Sequence, residues 1–161
     1  IGAVDAGRKP LAGIDLDPDA VDYCKAHSPE IRVHAGSADA VPEPDATFDL
    51  AIAFTLFSSV PDEEISAGIA RELRRVTKPG GFIIIYDMRR RNPGNRAVHP
   101  VTKKDVRRWF PRSPMRTRSI TLAPPLARRA GQWAPWLYGP LAAVPRLRTH
   151  AIYILRNPLT P

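Results

Sequence analysis

Cysteine and long apolar runs are nearly absent from this 161-residue chain. Because Cys24 is the only cysteine, we expect no disulfide framework, no cysteine metal site and a reducing, cytoplasmic setting. No apolar run approaches the roughly 20 residues that a membrane-spanning helix needs, and the N-terminus does not resemble a signal peptide. With 43% hydrophobic and 25% charged residues, the composition is that of one globular domain with a real core.

Acidic side chains are scarce in the second part of the chain. Residues 88–161 hold 16 Lys and Arg but a single acid, Asp105, whereas residues 1–87 hold 8 Lys and Arg and 15 Asp and Glu. Eleven of the 18 prolines also fall in the second part. We predict a single domain over residues 1–161, with a regular α/β half at 1–87 and a basic, loop-rich half at 88–161 that faces a partner.

Two short apolar runs flank an amphipathic segment in the middle of the chain. Residues 48–54 and 82–87 are apolar at nearly every position, so we expect two parallel strands covered on both faces. Between them we predict a helix over 61–76, with Pro61 at its first position and Gly80 and Gly81 ending it. The predicted core-facing stripe of this helix consists of Ile65, Ile69, Leu73 and Val76.

The remaining segments extend this pattern. We predict strands at 11–16 and 31–35, joined by a helix that Asp17 caps and that turns Val21, Tyr23 and Cys24 inward. A short helix over 103–110, a β-like run at 117–122 and a last strand at 149–155 follow. The expected fold is α/β, a mostly parallel sheet flanked by helices on both faces, with an antiparallel strand near the C-terminus.

Polar and small residues follow the first two predicted strands. Ligands of open α/β sheets bind beyond the carboxyl ends of the strands. At this position the carboxylate of Asp15 could accept hydrogen bonds from both hydroxyls of a ribose. The side chain of Leu16 could pack on the face of an adenine, and residues 36–38 could contact the adenine edge. Helix capping by Asp15 and Asp17, and a plain turn at 36–38, explain the same residues without a ligand.

The order of these motifs resembles the small-molecule methyltransferases of class I that use S-adenosylmethionine. The resemblance covers residues 11–88, from Gly-Ile-Asp-Leu at 13–16 to Lys-Pro-Gly-Gly at 78–81. It implies that the cofactor is S-adenosylmethionine. The residues that the resemblance assigns to the cofactor are Asp15 on the ribose, Leu16 on adenine, Ser37 and Ala38 at the adenine amino edge, and Phe54 and Thr55 beside the methionine part.

One departure from that family concerns its glycine-rich loop. A first strand, the loop and a helix need about 30 residues, and only ten precede Leu11. We therefore expect that the first strand is missing and that this chain is a fragment that binds the cofactor weakly or not at all. A degenerate loop within residues 1–7 is the alternative.

Methyl transfer needs neither a metal nor a covalent nucleophile, and we predict no metal site. A base is required only when the acceptor loses a proton. Asp87, at the end of the strand predicted over 82–87, is a weak candidate for that base. His99 and His150 are other candidates. The predicted acceptor-binding residues in the variable half are Arg89, Asn92, Asn95 and His99.

The basic half has several interpretations. Its arginines form a solvated face, bind an anionic acceptor, or contact RNA. The aromatic segment at 126–147 belongs to the core, forms a lid over an apolar acceptor, or meets a membrane as a peripheral contact. The preferred function is methyl transfer to a small-molecule or lipid-linked acceptor, and the alternatives are a non-catalytic interaction domain of the same fold or an RNA methyltransferase.

Overall fold

The computed structural model describes residues 11–91 and 97–159, and its strands form two separate sheets. In chain order the elements are β1 (Ala12–Asp15), α1 (Pro18–His27), β2 (Arg32–Ala35), β3 (Phe48–Phe54), a 3₁₀ turn (Phe57–Ser59), α2 (Glu63–Val76), β4 (Thr77–Met88), α3 (Lys103–Trp109), β5 (Met115–Leu122), α4 (Pro124–Trp133), a 3₁₀ turn (Pro135–Leu137), α5 (Tyr138–Ala143), a 3₁₀ turn (Pro145–Leu147) and β6 (Arg148–Arg156).

The larger sheet is mixed and the smaller sheet is parallel. Four strands follow the order β3-β4-β6-β5, in which β3 and β4 are parallel and the two pairs involving β6 are antiparallel. The parallel pair β1-β2 stands apart. The α/β class and the closing antiparallel strand are thus confirmed. Within the described residues the sheet is interrupted between β1 and β3, which is where the sequence predicts an absent strand.

Helix α2 ends at Val76 as predicted, but it begins two residues later than predicted and its C-terminus is capped by a different residue. The Asp62 side chain caps its N-terminus by accepting the N–H groups of residues 64 and 65, so Pro61 lies before the helix. At its other end the Asn157 amide donates to the carbonyls of Arg74 and Thr77. Because β4 starts at Thr77 directly after the helix, the glycines at 80 and 81 lie inside the strand and do not end the helix.

Helices α2 and α3 cover one face of the larger sheet. The core on this face unites Ile69 and Val106 from the helices with Ile83, Ile85 and Tyr153 from the strands. On the other face, exposed apolar side chains remain at alternate positions, so the expectation of strands covered on both faces is wrong for the described part of the chain. These exposed residues are Leu50 (44%), Ile52 (51%) and Phe54 (63%) on β3, and Phe82 (49%) on β4.

Three inward-facing predictions on the helices fail as well. Val21 is buried, but Tyr23 and Cys24 are exposed because only one face of α1 meets the small β1-β2 sheet. Ile65 in the first turn of α2 is 41% exposed. In the segment 126–147, Trp133 and Trp136 are also exposed, so core packing of these aromatic rings is wrong. No helix among the described residues is long and apolar enough to cross a membrane.

A single guanidinium attaches the loop after β2 to α2. Both oxygens of Glu72 accept hydrogen bonds of 2.7 Å from Arg75, which also donates to the Asp45 carboxylate and to the carbonyls of Val41 and Glu43. Because Arg75 donates to its carboxylate, Glu72 has a pKa below its usual value. This attachment holds the loop that leads from the end of β2 to β3.

Candidate functional site

The ends of β1 and β2 meet at one edge of the small sheet. The Gly36 N–H donates to the Asp15 carbonyl over 2.9 Å, which brings the turn after β2 against the last residue of β1. Asp15 is exposed, and its Oδ1 accepts the Asp17 N–H at 2.9 Å. That bond orients the carboxylate toward the edge where ligands of such sheets bind.

Asp17, and not Asp15, caps the N-terminus of α1. The Asp17 Oδ1 accepts the Asp19 N–H at 3.0 Å, and Pro18 occupies the first helical position, as the sequence predicts. Asp15 therefore has no capping task in α1 beyond the turn it forms with Asp17. Leu16, between the two acids, is 70% exposed and presents an apolar side chain beside the carboxylate.

The other adenine-edge candidates lie in the turn after β2. Ser37 is half-buried, and its carbonyl accepts the Ala40 N–H at 3.0 Å to close the turn. Ala38 packs against the core cluster of the larger sheet. The turn therefore lies between the edge of the small sheet and the core of the large one.

The end of β3 carries a strained residue. Thr55 has a φ of +49°, which is costly for a β-branched residue, and its N–H donates to the Tyr86 carbonyl at 2.7 Å. Beside it the ring of Phe54 lies 5.3 Å from the ring of Tyr86. Such strain is typical of functional positions, so Phe54 and Thr55 remain candidates for the cofactor site.

Tyr86 contacts His150, which the sequence offers as a candidate base, and Thr121, to which the sequence assigns no role. Its ring stacks on His150 with centroids 5.0 Å apart and planes 2° from parallel, and its hydroxyl lies 2.9 Å from the Thr121 Oγ1. Thr121 has a φ of +62°. The sequence could not reveal this cluster because it depends on the register of three strands, although a tyrosine at the end of an apolar run was a signal.

Two physical features characterise His150 in this cluster. Its Nδ1 lies 3.0 Å from the Thr149 Oγ1, and burial lowers the pKa of its imidazole, outweighing the opposite effect of Asp87. The imidazole is therefore neutral near pH 7, when it can accept a proton. With Phe54 and Tyr86 it forms a partly apolar wall at the carboxyl ends of β3 and β4.

Asp87 is the most enclosed of the predicted site residues. It is fully buried, and its two carboxylate oxygens accept the N–H groups of Ser58 at 3.1 Å and Met88 at 2.8 Å. Burial raises the pKa of its carboxyl group, and the hydrogen bonds oppose that effect. In this position Asp87 holds the 3₁₀ turn after β3, and its role as a base stays a prediction.

The remaining candidates surround this edge of the sheet. Arg89 is half-buried and donates through Nη1 to the Pro145 carbonyl at 3.1 Å. His99 is exposed, and its N–H donates to the Ser58 carbonyl. Asn92 and Asn95 lie outside the described residues. Among the residues that are described, no group of three or more potential ligands could hold a metal ion.

The site thus has two parts at the carboxyl ends of the strands. Asp15, Leu16 and Ser37 offer an ionised acceptor, an apolar surface and a polar turn, which together suit a nucleoside. The second part, around Tyr86, suits the reacting end of a ligand. These features are those of the ligand-binding edge of an open α/β sheet.

Sequence comparisons indicate a class of enzyme. A sequence-family model described as "Methyltransferase domain" matches residues 3–81. The chain is 32% identical over 97 residues to a demethylmenaquinone methyltransferase of Chlorobaculum parvum, spanning 60% of this chain and 39% of that protein. It is 28% identical over 81 residues to a probable S-adenosylmethionine-dependent methyltransferase of Mycolicibacterium smegmatis, spanning 50% of this chain and 30% of that protein. Residues 3–81 are therefore similar to the methyltransferase domain of S-adenosylmethionine-dependent enzymes.

Solved structures share the fold at low identity. A methyltransferase from Methanosarcina mazei superposes with a TM-score of 0.64 at 16% identity, covering 93% of this chain and 82% of that one. The [4+2]-cyclase SpnF gives 0.65 at 18% identity, covering 93% and 66%. This likeness shows the Rossmann-like fold alone, and the chain spans less than half of the curated relatives that it matches.

Proposed function

We propose that the protein transfers a methyl group from S-adenosylmethionine to a small-molecule or lipid-linked acceptor. The observation that carries this proposal is the exposed carboxylate of Asp15 at the end of β1, which accepts a hydrogen bond from the Asp17 N–H. The exposed side chain of Leu16 lies next to it in the chain. That pairing of an anionic acceptor with an apolar surface fits a ribose and its base. The similarity of residues 3–81 to methyltransferase domains supports the same assignment.

Each residue proposed to bind the cofactor has a defined task. Asp15 accepts hydrogen bonds from the ribose hydroxyls, and Leu16 packs on the adenine ring. Ser37 and Ala38 meet the adenine amino edge, while Phe54 and Thr55 border the methionine part. The bound cofactor supplies an activated methyl group, so the protein accelerates transfer mainly by aligning the reactants and excluding water.

The second part is proposed to receive the acceptor. Phe54 and Tyr86 provide apolar ring surface, and the hydroxyls of Tyr86 and Thr121 provide polar contacts at one end. A neutral His150 can accept a proton if the acceptor loses one. These side chains suit a ring-bearing acceptor, which agrees with the name of the curated relative that acts on demethylmenaquinone.

Replacement of Asp15 tests the proposal in the full-length gene product. We expect Asp15→Asn to weaken binding of S-adenosylhomocysteine by about ten-fold or more, because hydrogen bonds to a charged group contribute about 1.5–3 kcal/mol. Calorimetric titration measures the affinity. Asp22→Asn, which removes an exposed carboxylate from α1, serves as the matched control and should leave it unchanged. Equal affinity of the Asp15 variant and the parent would contradict the proposal.

A non-catalytic interaction domain is the second candidate. The observation that favours it is the uncovered face of the larger sheet, where Leu50, Ile52 and Phe54 are exposed in one row. An interaction domain would not bind the nucleoside. Absence of any calorimetric signal with S-adenosylhomocysteine in the full-length product would favour this candidate over the enzyme.

A further inference from the structure

The tryptophans of this protein lie in two contrasting environments. Trp109 stacks on Phe57 with ring centroids 4.6 Å apart, and its Nε1–H donates to Glu63 at 2.8 Å. Trp133 and Trp136, by contrast, are 84% and 75% exposed. Large exposed aromatic side chains mark interaction sites when they cluster.

Two more exposed apolar side chains follow these tryptophans closely in the sequence. They are Tyr138 and Val144, which are 47% and 42% exposed, and we call the four residues the apolar cluster. The Ala123 N–H donates to the Leu147 carbonyl at 2.9 Å, which joins the beginning of the segment to its end. The segment is therefore closed at its base and carries four large apolar side chains that are exposed.

Two backbone contacts strengthen that anchor. The Arg148 guanidinium donates to the Ala142 carbonyl at 2.7 Å and to the Ser119 carbonyl at 2.9 Å. The first bond holds the end of α5, and the second joins it to β5. Ala130 on the inner side of α4 is buried, so the helix has one face on the protein and one in solvent.

The charge of the segment has one sign. No Asp or Glu occurs after Asp105, while Arg128, Arg129 and Arg146 are exposed beside the apolar cluster. Exposed tryptophans next to arginines, without acids, are typical of segments that lie in the interface of an anionic bilayer. An acidic protein surface would match the arginines but not the indole rings, which favour the headgroup level of a membrane.

We propose that residues 126–147 form a membrane-docking surface, which seats Trp133 and Trp136 among the headgroups of an anionic bilayer and places Arg128 and Arg129 against its phosphates. RNA is the less favoured partner because the arginines are not interleaved with stacking aromatic rings. This surface is independent of cofactor binding, so it stands or falls separately from the proposed methyl transfer.

Tryptophan emission of the full chain tests the aromatic part of the proposal. We expect a blue shift with vesicles of phosphatidylglycerol and phosphatidylcholine, and none with phosphatidylcholine alone. Trp109→Phe should keep the shift, because Trp109 already has protein partners. A Trp133→Ala/Trp136→Ala double variant should no longer sediment with the anionic vesicles. Circular dichroism confirms that each variant is folded.

A pair of charge variants with the same net charge tests the position of the basic residues. Arg128→Gln/Arg129→Gln should weaken co-sedimentation with anionic vesicles by roughly ten-fold or more, since each arginine near the surface adds about 1 kcal/mol. Arg71→Gln/Arg107→Gln removes two exposed arginines from α2 and α3 and should leave binding within about two-fold.

Three results would overturn the proposal. The first is an emission maximum unchanged by anionic vesicles. The second is equal weakening by the two arginine pairs, which would show attraction by net charge alone. The third is an emission change with a single-stranded RNA oligonucleotide but not with vesicles, which would assign the segment to nucleic acid.

Discussion

Burial changes the pKa of the Asp87 carboxyl group and, through it, the stability of the protein. Its oxygens accept two backbone N–H groups, yet burial is the larger influence and raises its pKa above the usual 3.8. The folded protein therefore holds a proton on Asp87 more tightly than the unfolded chain does. As the pH rises from about 4 through the raised pKa, this residue lowers the free energy of unfolding.

We expect Asp87→Asn to remove that part of the pH dependence. The variant should be less stable than the parent by roughly 1–3 kcal/mol at low pH, because an amide cannot accept both N–H groups equally well. This difference in the free energy of unfolding should shrink as the pH rises, because only the parent is destabilised by a buried charge. Urea unfolding between pH 4 and pH 8 measures it, with Asp22→Asn as control. A difference that stays constant over this range would contradict the interpretation.

Some features of single residues could be predicted from the sequence, whereas others depend on how the strands pair and could not. Asp17 at the N-cap and Val21 in the core could be predicted, because both depend on local pattern. The contact between Tyr86 and His150 joins β4 to β6 and needs the antiparallel pairing of those strands. The left-handed conformations of Thr55 and Thr121 likewise have no sequence signal, because β-branched residues rarely adopt them.

At the scale of elements, α2 and its neighbours depend on contacts from far along the chain. Arg75 attaches the loop after β2, and Asn157 caps the helix from a position about 80 residues later. The apolar run at 48–54 and the helix after Asp62 were predictable from composition and spacing. The helix end at Val76 was predictable too, but the capping residue was not, because Asn157 reaches the helix only through the tertiary structure.

We expect Arg75→Lys to destabilise the protein by about 1–3 kcal/mol. A lysine has one donor group in place of the planar fork that reaches Glu72, Asp45 and two carbonyls, so several part-buried hydrogen bonds are lost. Arg74→Lys, the same change at the adjacent position, should cost less than 0.5 kcal/mol or so. Urea denaturation compares the two, and equal losses would show that the attachment by Arg75 is unimportant.

At the scale of the whole molecule, the interrupted sheet bears on cofactor binding. β1, with Asp15, and β3, with Phe54, belong to different sheets in the described residues. Within residues 11–91 and 97–159, no strand ladder therefore joins the two parts of the site. Which faces are covered could not be predicted, because apolar strands look alike in sequence whether or not another layer packs on them.

The position of β3 has a consequence for handling the protein in concentrated solution. In the part of the chain that the structure describes, β3 is an edge strand of the larger sheet and carries the exposed side chains of Leu50 and Ile52. Pairing of two such edges would extend the sheet across molecules, and the encounter rate grows with the square of concentration. We therefore expect precipitation to limit the usable protein concentration, and a charged substitution at Ile52 to raise that limit.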